Sequence, residues 1–149
     1  MEHISGSLED YLEAIYQIAE KSRVARVKDI SQRLGVKSAS VVGALRVLRS
    51  KGLIDQERYG YIKLTKPGAR VAEDVLGRHQ ALSSFFSNVL GLDAYLAEAE
   101  ACSAEHCLGE ETISRLVLLQ EFLTCQSREK NQRLKQFNGF LKSRKAKAK

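Results

Sequence analysis

Val27-Lys28-Asp29-Ile30-Ser31-Gln32-Arg33-Leu34-Gly35-Val36-Lys37-Ser38-Ala39-Ser40-Val41-Val42-Gly43-Ala44-Leu45-Arg46-Val47-Leu48-Arg49-Ser50 reads as two helices joined by a tight turn. Val27, Ile30 and Leu34 recur at spacings of three and four, the signature of a short helix with one inward face. Gly35-Val36 ends it, where the turn of a helix-turn-helix often holds glycine. A second helix, capped by Ser38 or Ser40, runs to about Ser50 with Val41, Leu45 and Leu48 facing inward, and Gly52 is its C-terminal stop.

Outward from that pair, Leu53–Arg58 and Tyr61–Thr65 flank Tyr59-Gly60, so a β-hairpin is expected. Upstream, Ser7 opens a helix whose apolar face is Leu8, Leu12, Ile15, Tyr16, Ile18 and Ala19. Helix, helix-turn-helix and hairpin in that order predict a winged helix. Downstream, Lys66-Pro67-Gly68 begins a helix extending to Leu90, Gly91-Leu92-Asp93 breaks it, and further helices cover about Ala94–Leu108 and 110–123. The fold class expected is mainly α with a small β-hairpin wing. Residues 1–70 are expected to form the winged helix-turn-helix domain, and residues 71–149 a second, helical domain with a basic C-terminal tail. The later helices are too apolar to stand alone, and a self-complementary helical interface, hence a homodimer, is the natural sink for them.

Charge divides along the same lines. The net charge is +6 over 149 residues. Residues 1–20 carry five acidic and no basic side chains, and residues 21–70 carry thirteen basic and three acidic ones. Residues 71–127 carry nine acidic and two basic, and residues 128–149 carry nine basic and one acidic. Basic blocks suit nucleic-acid phosphates and acidic blocks suit cations. No apolar run approaches the roughly 20 residues of a membrane helix, and no signal peptide opens the chain. Three cysteines without a Cys-x-x-Cys pair point to a reducing cytoplasm.

Six potential metal ligands lie in three segments: Asp10 and Glu13, then His79, then Cys102, Glu105 and His106. Cys102, Glu105 and His106 stand at i, i+3 and i+4, one face of a helix, with Glu98 one turn earlier on the same stripe. Thiolate, carboxylate and imidazole together suit a divalent transition metal. Each residue also has an ordinary reading. Asp10 could complete a capping box with Ser7, and Glu13 could be a solvated acid. His79 could be a surface or hydrogen-bonded histidine, Cys102 a small buried hydrophobe, and Glu105-His106 a chance pair. Their joint occurrence around a winged helix favours the metal. His3 is not assigned, and Cys107 and Cys125 read as structural.

The N-terminal residues of the second helix of such a motif meet base edges in the major groove. Here they are small: Ser38, Ala39, Ser40 and Gly43, with Val42 beside them. Direct readout is therefore expected to be modest, with affinity coming from backbone contacts and DNA shape. Lys28, Lys37, Arg46, Arg58 and Lys63 are the phosphate candidates. Signatures of enzymes are missing: there is no phosphate-binding glycine loop, His-Glu-x-x-His or Gly-x-Ser-x-Gly.

Glu9-Asp10-Tyr11-Leu12-Glu13, the helix-turn-helix with its hairpin, Arg78-His79 and Glu100-Ala101-Cys102-Ser103-Ala104-Glu105-His106 together resemble the DtxR/MntR family of metal-dependent transcriptional repressors. The resemblance runs from Ser7 to about Phe122. It implies a DNA-binding domain, a helical dimerisation domain and metal held by Asp10, Glu13, His79, Cys102, Glu105 and His106. It also implies the short two-domain form, without the SH3-like third domain of the longer iron regulators. Asp10 and Glu13 look like the manganese type, whereas Cys102 is the iron-type residue. Ser83 and Glu98 stand where iron regulators carry a glutamate and a histidine of an ancillary site. A soft thiolate favours Fe(II), with Mn(II) next.

The function expected is a repressor of metal-uptake genes that binds a palindromic operator in double-stranded DNA. Like charges on Asp10, Glu13 and the later acidic cluster hold the first helix loosely until a cation is bound, and the two recognition helices then match successive major grooves. No membrane and no small organic substrate enter this reading, and no enzymatic activity. Three alternatives stay open: a winged-helix regulator answering an organic ligand or a redox signal, a helical di-metal enzyme, and a non-specific DNA-packaging protein.

Overall fold

The computed structural model describes residues 4–22, 24–57, 60–124, 132 and 135–140. Their elements follow the order α1 (Gly6–Ser22), α2 (Val27–Leu34), α3 (Ser38–Ser50), β1 (Ile54–Gln56), β2 (Ile62–Leu64), α4 (Lys66–Asn88), α5 (Ala94–Ala104) and α6 (Glu110–Thr124). The chain separates into two compact units, Met1–Leu76 and Gly77–Lys149, with the division inside α4.

The first unit is a winged helix. Its core joins Tyr11, Leu12 and Ile15 of α1, Ile30 of α2, and Val41, Leu45 and Leu48 of α3 to Leu53, Ile54, Ile62 and Ala72. These are the inward positions that the three-and-four spacing selects, because one turn of helix brings such residues onto a common stripe. Gly35 closes α2 in the left-handed conformation, at φ 65°, where a side chain would be strained. The Val36 amide then bonds back to the Ser31 carbonyl at 3.1 Å, and the Ser31 hydroxyl donates to the Val36 carbonyl at 2.5 Å. Gly52, at φ 68°, does the same for α3, with the Leu53 amide bonding to the Leu48 carbonyl at 3.0 Å.

The wing pairs β1 and β2 antiparallel, Ile54 opposite Leu64 and Gln56 opposite Ile62. It is shorter than the sequence suggests, three residues per strand. Ile62 also exchanges both backbone hydrogen bonds with Ala25, so the segment before α2 adds a one-residue rung. The Arg26 guanidinium lies 5.0 Å from the Tyr61 ring centre and donates to the Tyr61 hydroxyl at 3.0 Å.

Several caps differ from expectation. α1 begins at Gly6, with the Ser5 carbonyl accepting from Leu8 and Glu9, so Ser7 lies inside the helix and does not cap Asp10. Ser38 and Ser40 are within α3, whose N-cap is Lys37. Thr65, not anticipated, caps α4: its hydroxyl oxygen accepts from the Gly68 amide at 3.2 Å while donating to the Gly52 carbonyl at 2.7 Å. α4 is thereby pinned to the turn that follows the recognition helix.

In the second unit, Leu82, Phe85, Val89, Ala97, Ala101 and Ile113 are buried. Asp93 caps α5 through its side chain, accepting from the Leu96 amide at 3.1 Å. α5 ends at Ala104, earlier than the expected Leu108. No helix among the described residues is long and apolar enough to cross a membrane.

Candidate metal centre and nucleic-acid interface

The second unit gathers three of the six expected ligands. α4 presents His79, and the end of α5 presents Glu105 and His106. The carboxylate of Glu105 is fully buried, and its Oε2 lies 2.6 Å from His79 Nδ1. Its Oε1 lies 3.3 Å from His106 Nε2. Cys102 stands on the last turn of α5 and is exposed, against the ordinary reading of it as a small buried hydrophobe. Glu105 is the C-cap residue and His106 falls in the turn beyond it, so the i, i+3, i+4 triplet straddles a helix end. Glu105 keeps helical angles, φ −60° and ψ −27°, which continues the stripe by one residue.

Asp10 and Glu13 belong to α1 in the first unit, both half-buried and three residues apart. Glu13 accepts from the Gln17 side chain at 2.7 Å. Cys107 is exposed, and its thiol points to the Ser103 carbonyl at 3.9 Å. His3, Arg58 and Cys125 lie outside the described residues, as do 141–149 of the basic tail.

Two side chains not assigned to the site from sequence join it. Glu98 of α5 sets Oε2 2.7 Å from His79 Nε2, and its Oε1 accepts from the Ser83 hydroxyl at 2.6 Å. Spacing places Glu98 on the stripe, and the family resemblance marks both Glu98 and Ser83 as standing at ancillary-site positions, but neither is named as a ligand. The partners of Glu98, nineteen and fifteen positions away, carry no local signal. Burial alone pulls the His79 pKa down, but hydrogen bonds to Glu98 and Glu105, with their charges, outweigh it and hold the ring above the ordinary histidine value. Glu98 is lowered, first by the Ser83 hydroxyl and then by His79.

Carboxylate and imidazole donors packed this closely fit a divalent transition cation. Adjacent ligands around an ion with bonds of about 2.1 Å lie roughly 3 Å apart, the scale of the 2.6 and 3.3 Å separations here.

On the first unit, α3 turns Ser38, Ala39, Ser40, Val42, Gly43, Arg46 and Arg49 to solvent while Val41, Leu45 and Leu48 face the core. Lys37 at its N-cap and Lys28 on α2 are exposed as well. Arg46 and Arg49 border a hollow of about 250 Å³ with Val27, Val42, Leu45 and Gln56. Gln56, from the wing, was not among the expected DNA contacts. Only the pairing of β1 with β2 and its packing on α3 brings it beside the two arginines.

A basic winged helix followed by a helical unit with a carboxylate–imidazole cluster defines a DNA-binding regulator with a metal-binding domain. Residues 3–62 match the family model described as iron dependent repressor, N-terminal DNA binding domain. Residues 65–134 match that described as iron dependent repressor, metal binding and dimerisation domain. The chain is 35% identical over 119 residues to an uncharacterized HTH-type transcriptional regulator of Methanocaldococcus jannaschii, covering 79% of this chain and 95% of that one. It is 32% identical over 125 residues to the HTH-type transcriptional regulator MntR of Bacillus velezensis, covering 83% and 87%. Among solved structures it superposes on a manganese-dependent transcriptional repressor in complex with manganese, with TM-score 0.72 and 28% identity, covering 77% of this chain. It spans about half of that solved chain, 53%. The protein belongs to the DtxR/MntR family of metal-dependent transcriptional repressors. Members of the family are transcriptional regulators, not enzymes.

Proposed function

We propose that the chain represses metal-uptake genes in the cytoplasm in response to Fe(II), with Mn(II) the next candidate, by binding a palindromic operator as a homodimer. The observation that carries this reading is the buried Glu105 carboxylate set between His79 and His106, in a chain that also bears a basic winged helix. The ligand set assigned is Asp10, Glu13, His79, Cys102, Glu105 and His106. A bound cation supplies positive charge and a shared coordination sphere. The carboxylates of Asp10 and Glu13 then no longer repel the acidic cluster of residues 98–111, and α1 loses freedom that DNA binding would otherwise have to remove. The Cys102 thiolate is the reason for preferring Fe(II). Manganese is supported by the solved relative's bound ion and by the carboxylates at positions 10 and 13.

DNA reading is assigned to residues 1–70, through Ser38, Ala39, Ser40 and Gly43 at base edges and Lys28, Lys37, Arg46 and Arg58 at phosphates. Metal binding and dimerisation are assigned to residues 71–149. The exposed apolar side chains of α6, Leu118, Leu119 and Phe122, support a covered helical face in the working protein.

The test is a gel shift at fixed salt on an uptake-gene promoter, titrating Fe(II), Mn(II) and Zn(II) with and without chelator. The reading predicts a shifted band that needs metal and vanishes with chelator. Equal binding with and without metal, or equal binding to any duplex, refutes it.

A further inference from the structure

His79 offers two ring nitrogens to two different carboxylates. Nδ1 faces the fully buried Glu105 at 2.6 Å, whose other oxygen adjoins His106. Nε2 faces Glu98 at 2.7 Å, whose side chain is 61% exposed. Glu98 is in turn fixed by the Ser83 hydroxyl at 2.6 Å. Ser83 and His79 stand four residues apart on α4, so one turn of helix presents both to the same carboxylate.

The two nitrogens of an imidazole point to diverging sides of the ring. A cation held by Glu105 and His106 therefore meets His79 at Nδ1, the atom already directed at Glu105. Nε2 is turned to Glu98, whose carboxylate can accept a hydrogen bond from a proton carried there. Metal-bound histidines generally donate their second N–H to a carboxylate or carbonyl, which fixes the tautomer and raises the donor strength of the ligating nitrogen. Resting on the ligand assignment above, we propose that Glu98, braced by Ser83, is a positioning residue that keeps the His79 proton on Nε2 and reserves Nδ1 for the metal. In that arrangement Nε2–H would donate to Glu98 and Nδ1 would be left to hold the ion. Ser83 is a part of the device because it occupies Oε1 and leaves Oε2 as the oxygen presented to the ring.

The experiment uses the full chain with ¹⁵N-labelled histidine and Zn(II) as a diamagnetic probe. Long-range ¹H–¹⁵N correlation spectra report which ring nitrogen carries the proton and which the metal. Chelator competition gives the affinity, and circular dichroism checks that each variant folds. The expected spectrum of the Zn(II)-loaded wild type has His79 metallated at Nδ1 and protonated at Nε2. E98A and S83A are expected to bind Zn(II) 10- to 100-fold more weakly. S83T, which keeps the hydroxyl, restores the affinity, and E98Q, which keeps an acceptor without the charge, falls between wild type and E98A. Metal on Nε2 overturns the inference, as does wild-type affinity in folded E98A and S83A. A second ion lost in E98A also overturns it, because Glu98 would then be a ligand itself. If Zn(II) leaves the wild-type His79 signals unchanged, the ligand assignment itself fails and this inference falls with it.

Discussion

Gly68 and Gly77 lie nine residues apart in α4, and alanine at each should move stability in opposite directions. At Gly68 a Cβ would come within 1.9 Å of the Leu53 carbonyl oxygen and 2.8 Å of its carbon. Real Cβ atoms essentially never approach below 3.0 Å, so the start of α4 and Leu53 must part by at least the 1.1 Å between those values. Neither side yields freely. Leu53 is a core residue, its carbonyl accepts from the Thr65 amide at 3.1 Å, and Thr65 caps the same helix turn. Overpacking of this kind costs about 1–3 kcal/mol, and the strained hydrogen bond about 1 kcal/mol more. The helix preference of alanine returns at most about 1 kcal/mol. The net loss is about 2 kcal/mol, or roughly 8–16 °C in midpoint for a domain of this size. At Gly77 nothing lies within 4 Å of the added atom, so G77A should stabilise by about 0.4–1 kcal/mol. Thermal and urea unfolding followed by circular dichroism, with chelator and at fixed protein concentration, reads both. A G68A midpoint at or above wild type refutes the close seating of α4 on Leu53. A G77A midpoint as low as that of G68A refutes the contrast between the two sites.

Replacing Glu105 with glutamine keeps the shape and removes the charge, and should weaken metal binding at least about 100-fold, measured by chelator competition, if Glu105 is the ligand proposed, because loss of a ligand matters more than the 10- to 100-fold of its supports. His79 makes the metal-free protein pH-sensitive. Its pKa is raised on folding, so its contribution to stability is complete below the ordinary histidine value of about 6.5 and fades as pH rises through the folded pKa. Metal affinity should run the other way, rising over that window as the competing proton leaves; pH-resolved unfolding and competition titrations check both slopes. Asp29 accepts from the Arg26 amide at the start of α2 at 3.2 Å, so D29A should cost about 1 kcal/mol in the same unfolding assay. R46A should lower operator affinity by about 1–3 kcal/mol if the side chain reads a base. If it holds a phosphate, it should instead reduce the salt slope by about one while affecting all duplexes alike, which a salt-series gel shift separates.

The winged helix was legible because its information is local. Val27, Ile30 and Leu34, then Val41, Leu45 and Leu48, declare their faces through helical spacing, and Gly35 and Gly52 mark the stops through a backbone angle that favours glycine. The hairpin was legible from Tyr59-Gly60 for the same reason, although its strands were drawn too long. Short-range energetics left the caps ambiguous: several serines can accept an amide hydrogen bond, and Ser7, Ser38 and Ser40 all proved to be inside helices. Thr65 was missed because its role depends on Gly52, thirteen residues away.

For the candidate metal centre, the amino-acid sequence by itself determined which donor chemistries the chain owns and the spacing of Cys102, Glu105 and His106 along one stripe. Only the tertiary structure decided that Glu105 is buried while Cys102 is exposed, that His79 meets Glu105 across twenty-six residues, and that Ser83 and Glu98 close on its far nitrogen. Helical periodicity reports the direction in which a side chain leaves its own helix. What it meets there is set by the packing of α4 against α5, a contact between distant segments that no local pattern encodes.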